Sequence, residues 1–286
     1  MSLPSIEPIR DEDLNEFCVF LNKNLSQRHT PGNWAKAFMH DWGIQKPNNG
    51  FLLRDDGRIV GGIGAIYSRH PVHDKPESFC NITSWCVLDE YRSQSMRLAM
   101  ALTEQPGFHF SDLTPTEVVS RTLQFLKFRP MNEAQTVWPN LIWPFSAISG
   151  VRVITDHGAL CQVLSPVDAQ AYRDHADIPW LNHLAIGQAG NFCHVVWKKC
   201  RLKGVSGAFI LAASEAGIFL KYRNSLGSHL LSRHGLLFTR MESRLLPARP
   251  IPGIELTGYR NKVYRSDTLA ESDISNLYTE LVALDI

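Results

Sequence analysis

The sequence predicts an α/β (α+β) protein in two lobes, and three observations carry that reading. Asn81 to Leu88 is a short strand-like run that breaks at Asp89-Glu-Tyr91 and passes into a helical pattern at Ser95. An Asp-Asp-Gly turn at 55–57 separates two apolar runs, a strong local hairpin signal. Strand and helix signals then alternate to the end of the chain, with a proline-marked connection near its middle.

At 286 residues the chain is long enough for one large or two small cores. Its 44% hydrophobic and 20% charged residues are ordinary for a soluble protein, and a net charge of +1 implies neither nucleic acid nor an anionic membrane as partner. No apolar run is long enough to span a bilayer, and Met1-Ser-Leu-Pro-Ser lacks a signal-peptide pattern. Six cysteines without Cys-x-x-Cys spacing read as reduced thiols, which points to the cytoplasm.

In chain order, Ile6 to Arg10 is a first strand. Asp11-Glu-Asp13 places acid at a helix start, and Leu14, Phe17, Cys18, Phe20 and Leu21 form that helix's apolar face. Asn33 to Trp42 reads as a second helix, with Trp34 and Trp42 as core residues or pocket walls. Gly50–Leu53 and Arg58–Tyr67 form the hairpin. Gly61, Gly62 and Gly64 lie inside its second strand, where glycine marks a bulge or a close backbone approach. Ser68 to Ser78 reads as a polar loop. His70 and His73 lie within it, a solvated pair rather than a zinc site.

From Ser95, the residues Met96, Leu98, Ala99, Met100 and Leu102 form a buried helix face. A strand that delivers a loop to a helix N-terminus leaves backbone N–H groups without partners at the positive end of the helix dipole. Arg92 and Arg97 add charge there, so the stretch predicts phosphate or pyrophosphate binding. Gly107 precedes the strand Phe108–Leu113. Thr114-Pro115-Thr-Glu117 then starts a helix with Thr114 as cap, and Arg129-Pro130 ends it.

Trp138-Pro139 and Trp143-Pro144 read as a rigid connection. Beyond it, Ser165 caps a helix through His175, Phe192–Cys200 and Gly207–Ala213 are strands, and Lys221–Leu231 leads through Gly235 to a strand at Leu236–Leu245. Tyr91-Arg92, a helix, a glycine and a strand recur in order as Tyr222-Arg223, a helix, Gly235 and a strand, a degenerate internal repeat. Arg244–Gly258 reads as a loop and Asp273–Leu284 as a C-terminal helix. The division is 1–145 and 146–286.

The stretch at 85–102 resembles the acyl-CoA loop of the GNAT superfamily of N-acyltransferases, Arg/Gln-x-x-Gly-x-Gly/Ala after a strand. Arg92 stands at the Arg/Gln, Ser95 and Arg97 at the two small residues, Asp89 at the usual proline and Val87 at the last strand valine. The order of elements over 5–145 agrees, with Lys127 where the family has the glycine of a Gly-Phe step. The resemblance implies a mixed, mostly antiparallel twisted sheet flanked by helices, with a second, GNAT-like lobe. It implies transfer of an acetyl or other acyl group from acetyl-CoA or another acyl-CoA to a small-molecule or peptide amine. The co-substrate would meet Cys86, Val87, Leu88, Arg92 and the amides of Ser93, Gln94, Ser95, Met96 and Arg97.

The family's general-acid tyrosine is missing: the helix from Glu117 offers only Phe125 and Phe128. Catalytic candidates near the cleft are His109, Asp112 and Ser84, with His109 the better base because its ordinary pKa is near neutrality. The lost glycines, Arg97 and the missing tyrosine also fit a GNAT-derived CoA-binding or scaffolding module without turnover. A two-lobed transferase acting on charged tRNA is a third reading, which the near-neutral charge does not favour.

Overall fold

The computed structural model describes residues 3–142 and 150–285, and its contacts divide the chain into two units. The first comprises Met1–Met131 and Arg260–Ile286, and the second Asn132–Tyr259. The boundary drawn at 145 therefore falls at 131–132, and the chain returns to the first unit at Arg260. Trp138-Pro139 is not a connection: it ends a strand, with Trp138 buried. Trp143-Pro144 lies outside the described residues.

The first unit opens with strand β1 (Ser5–Pro8) and helix α1 (Leu14–Asn24), entered through a 3-10 turn at Asp11–Asp13. Helix α2 (Pro31–Met39) starts earlier than its pattern suggested. Thr30 caps it by accepting the Asn33 N–H at 3.2 Å, and Pro31 fills the first turn. It ends at His40, which turns to extended backbone, so Trp42 lies beyond it. Strands β2 (Gly50–Asp55) and β3 (Arg58–Val72) form the expected hairpin, with Asp56 and Gly57 both at positive φ.

Strand β4 (Lys75–Val87) corrects the loop expected at 68–78. β3 and β4 pair through to Val72 and Lys75 across a second two-residue turn, His73-Asp74, again with both φ positive. Helix α3 (Ser95–Thr103), strand β5 (His109–Asp112), helix α4 (Glu117–Phe125) and the short strand β6 (Arg129–Pro130) complete this run. The cap of α4 is Thr116, whose hydroxyl accepts the Val119 N–H, not Thr114. After α4, Lys127 takes the left-handed φ of 67° that a glycine would adopt freely.

The second unit holds β7 (Gln135–Pro139), β8 (Arg152–Ile154), α5 (His157–Val163) and α6 (Pro166–His175), the last capped by Ser165 as expected. Strands β9 (Asn182–Gln188), β10 (Asn191–Leu202) and β11 (Val205–Ala213) follow as a meander. Helices α7 (Ala216–Lys221) and α8 (Arg223–His234) lead through Gly235 to β12 (Phe238–Glu242). The loop expected at 244–258 contains β13 (Ile254–Leu256).

The chain re-enters the first unit with β14 (Val263–Arg265), followed by a largely buried segment in which α9 (Glu280–Ala283) is the one α-helical stretch among the described residues. The long C-terminal helix is absent because Tyr278, at a φ of 63°, breaks it. Residues 276–284 are buried throughout, so the segment threads the core instead of lying on it.

The first sheet runs β1-β2-β3-β4-β5-β14-β6 and the second β13-β7-β12-β11-β10-β9-β8. Read from β8, the second repeats the first: a meander, one parallel pair (β4 with β5, β11 with β12), then two antiparallel strands. The expected mixed, mostly antiparallel sheet is thus present twice, each with helices in the parallel crossover. Leu98, Ala99 and Leu102 of α3 pack on Leu53, Ile63 and Ile82 on one face of the first sheet. On the other face, Phe17 and Phe38 lie against Gly62 and Gly64. A Cβ at either glycine would come within 2.6 Å of a ring carbon. The glycines mark a close approach, as their place in a strand suggested.

Candidate functional site

Parallel pairing between β4 and β5 covers only Phe79–Asn81 against His109–Ser111. β4 continues to Val87, so Ile82–Val87 pairs with β3 on one side and with no strand on the other, among the described residues. The two strands form a fork with Asn81 at its vertex.

A bulge shapes the open arm. Gly62 pairs with Cys86 and Gly64 with Thr83, so three steps of β4 answer two of β3. The extra residue inverts the alternation of side chains. Before it, Cys80 and Ile82 face the α3 core; after it, Trp85 and Val87 do. Ser84 sits in the bulge with a φ of 54°, its hydroxyl 3.3 Å from that of Thr83. The second unit carries the same device: Val196 pairs with Ala212 and Trp197 with Ile210, leaving Leu211 as the extra residue of β11.

At the end of the open arm the expected phosphate loop is tighter than a glycine-rich one. Asp89–Gln94 forms a 3-10 turn that runs directly into α3. The N–H of Tyr91 bonds Leu88 O, and that of Ser95, one of the amides assigned to the co-substrate, bonds Arg92 O. Gln94 precedes α3 without a side-chain cap. Arg97 donates to Pro4 O at 3.2 Å and to Gln94 Oε1 at 2.9 Å, so it neither fills the loop nor reaches out of it. Arg92 is exposed and pairs with Asp89 at 2.8 Å. Cys86 and Val87 end β4, Leu88 precedes the turn, Ser93 lies in it and Met96 in the first turn of α3.

The fork separates the three catalytic candidates. Ser84 lies on the open arm. His109 lies on the closed side of the vertex, opposite Phe79, because the parallel register sets the start of β5 against the paired half of β4. Both its ring nitrogens are engaged, Nε2 with Glu77 at 3.1 Å and Nδ1 with Ser266 Oγ at 2.8 Å. Asp112 is buried at the vertex, where Oδ1 accepts the Thr114 N–H at 3.1 Å. Burial, then the neighbouring Glu280 carboxyl, raises its pKa well above the carboxylate range. Trp34 and Trp42 are core residues: Trp34 meets His29 edge-on, and Trp42 stacks on His40 and meets Tyr278.

Glu280 was not foreseen. It lies 168 positions after Asp112, in an apolar stretch that reads as helix, and no local pattern marks it. Its carboxyl bonds the Leu113 N–H and the Thr114 hydroxyl, and its own N–H bonds Asn81.

A second titratable cluster lies in the second unit. His183 and His194 face each other across β9 and β10, Nδ1 to Nε2 at 3.2 Å, with Tyr172 edge-on to both rings. Burial, then the charge His175 would carry, lowers His183 to about 4. Burial, then His183 and His175, lowers His194 to about 3. No group of three or more His, Cys, Asp or Glu side chains among the described residues could hold a metal ion.

No protein-family model matches the sequence, and no curated protein sequence matches it. Solved structures do match its fold. A GCN5-related N-acetyltransferase from Anabaena variabilis ATCC 29413 superposes with a TM-score of 0.59 at 11% identity, over 92% of this chain and 72% of that one. A conserved protein of unknown function from Enterococcus faecalis V583 gives 0.59 at 12%, over 92% and 73%. A GCN5-related N-acetyltransferase from Kribbella flavida gives 0.55 at 10%, over 92% and 70%. At such identities the likeness is one of fold. The chain has the fold of the GCN5-related N-acetyltransferases, the GNAT fold that its sequence resembles.

Proposed function

We propose that the chain is an N-acyltransferase that moves an acetyl or other acyl group from acyl-CoA to an amine, which attacks the thioester directly. One observation carries the reading: the bulged, open edge of β4 at 82–87, leading to the N-terminus of α3. An extended pantetheine arm has two amides that can pair with such an edge as a peptide strand would. The α3 turn is then left for the pyrophosphate, at the positive end of the helix dipole.

That turn fits the donor in part. With the Ser95 amide already used, the exposed Arg92 guanidinium contributes more of the phosphate contact than in a glycine-rich loop. A phosphate must take Arg92 from Asp89. The acceptor is a small-molecule or peptide amine, and the cytoplasm is the compartment this chemistry fits.

The test is thermal unfolding with CoA and with acetyl-CoA, on wild type and on Arg92→Ala, followed by thiol release from acetyl-CoA with a panel of primary amines. Ligand at 100 times its dissociation constant stabilises by about 2.7 kcal/mol. That raises the melting temperature of a protein this size by roughly 5–10 °C. The expected result is a rise that shrinks in Arg92→Ala. No rise with either ligand would refute the reading.

A further inference from the structure

The vertex of the fork is closed by a carboxyl pair that the donor contacts do not use. Glu280 Oε1 accepts from the Leu113 N–H at 2.9 Å and from the Thr114 hydroxyl at 3.1 Å, while the Thr114 N–H donates to Asp112 Oδ1. One threonine thus joins two buried carboxyls. The Glu280 backbone N–H donates to Asn81 Oδ1 at 2.9 Å, and the Asn81 amide donates to Ser111. Glu280 is therefore tied to both arms where they part. Its second oxygen, Oε2, is buried and accepts no hydrogen bond of normal geometry, although the Asn81 side chain lies near enough to favour the charged carboxyl. A native carboxylate rarely leaves a buried oxygen unmet, so this one is suited to a donor from outside the chain.

The open edge begins at Ile82, the residue after Asn81, and five steps separate it from Val87. At the usual rise per residue that is about 17 Å. A thioester donor lying along it, with its charged end at the α3 turn, brings its reacting carbon to the vertex. We propose that Glu280 is the base of the acyl transfer, receiving through Oε2 the proton of the attacking amine. This rests on the N-acyltransferase reading.

The amine enters as an ammonium and gives one proton to Glu280. Its freed lone pair forms the N–C bond to the thioester carbon, and the C–S bond breaks with its electron pair on sulfur. The second nitrogen proton goes to that sulfur, giving an amide and a free thiol. Glu280 returns its proton to solvent as the products leave. Asp112 and Lys262 are charged neighbours of Glu280. Burial raises the Glu280 pKa, and hydrogen bonds and the Lys262 ammonium lower it by less. A carboxylate above its ordinary range is the better base for an ammonium near neutral pH. Two interacting buried carboxyls do not both ionise at once; in the transfer proposed, the shared proton lies on Asp112 and the charge on Glu280.

The experiment is the pH profile of kcat/KM with acetyl-CoA and the best primary amine of the panel, on wild type, Glu280→Gln and Asp112→Asn, with CoA-induced thermal stabilisation measured on each. Loss of general-base catalysis is expected to lower kcat/KM roughly 100-fold or more in Glu280→Gln and to remove the acidic limb. The CoA-induced rise is expected to stay. Asp112→Asn, whose neutral amide stands in for the protonated acid, is expected to keep that limb. Should Glu280→Gln not fold, Glu280→Asp sets the carboxylate back by one methylene, and an unchanged rate there overturns the assignment. Turnover with an unaltered profile in Glu280→Gln overturns Glu280 alone. Absence of CoA stabilisation, or of turnover with every amine, overturns the N-acyltransferase reading and the assignment with it.

Discussion

Lowering the pH from 7 to 5 tests the histidine cluster of the second unit. His183 and His194 are held neutral by burial, at about 4 and about 3. In the unfolded chain each titrates near 6.5. Below that value the unfolded state takes up protons that the folded state refuses, so stability present above 6.5 is lost as the pH falls. At pH 5 the linkage amounts to about 2 kcal/mol for each ring, or about 4 kcal/mol for the pair. This is a large part of the stability of an ordinary domain. Urea unfolding followed by circular dichroism should show the midpoint falling by more than ~1 M between pH 7 and pH 5. Other groups titrate over the same range, so the decisive quantity is the difference between wild type and His194→Gln. The variant should lose about 2 kcal/mol less than wild type on acidification. Equal losses would show that these rings accept protons in the folded state, and would refute the burial argument.

Three further outcomes follow from packing and backbone geometry. Gly64→Ala places a methyl 2.6 Å from two Phe38 ring carbons. It should destabilise by roughly 1–3 kcal/mol in urea unfolding. Lys127→Gly removes a side chain from a left-handed position. The relief of about 1 kcal/mol is offset in part by the freer unfolded chain, so the melting temperature should hold or rise slightly. Thr30→Ala deletes the cap of α2. It should destabilise by about 1 kcal/mol, and a loss as small as that of an exposed substitution would show that the cap bond is not made.

The elements most legible in the sequence are those whose signal is local. Asp55-Asp56-Gly57 announces its hairpin because the turn needs positive φ and supplies glycine to adopt it. The hairpin at His73-Asp74 makes the same turn without glycine. The polar residues and prolines of 68–78 then read as loop, although Pro71 and Pro76 face each other across the ladder. The fork was legible as far as its open arm, because strand, turn and helix follow one another in the chain. Its vertex was not. Asp112 and Glu280 meet only through tertiary structure, and the uniform burial of 276–284 looks in sequence like a helix with an apolar face. The bulge at Ser84 left only the glycines of the facing strand as a trace.

The two sheets share one strand order but fill one slot differently, and this makes the units unequal. The strand beside the parallel pair is β14 in the first sheet, the last strand of the chain. In the second it is β7, the first strand of its unit. All seven strands of the second sheet therefore come from one continuous stretch, 132–259, whereas the first needs 260–286 to complete it. That return segment supplies more than an edge. Val263 lies in the core beside Phe110 and Leu123, while Tyr264, Leu269, Ile274 and Leu281 make up most of a second cluster with Phe79, Leu113 and Met131. A fragment 1–131 would leave both clusters open, expose the edge of β5 and lack Glu280 at the vertex. The fragment 132–259 should unfold cooperatively in urea, and 1–131 should not unless a peptide spanning 260–286 is added. A sharp transition in 1–131 alone would mean that the first sheet closes without β14, and would refute the strand order β5-β14-β6.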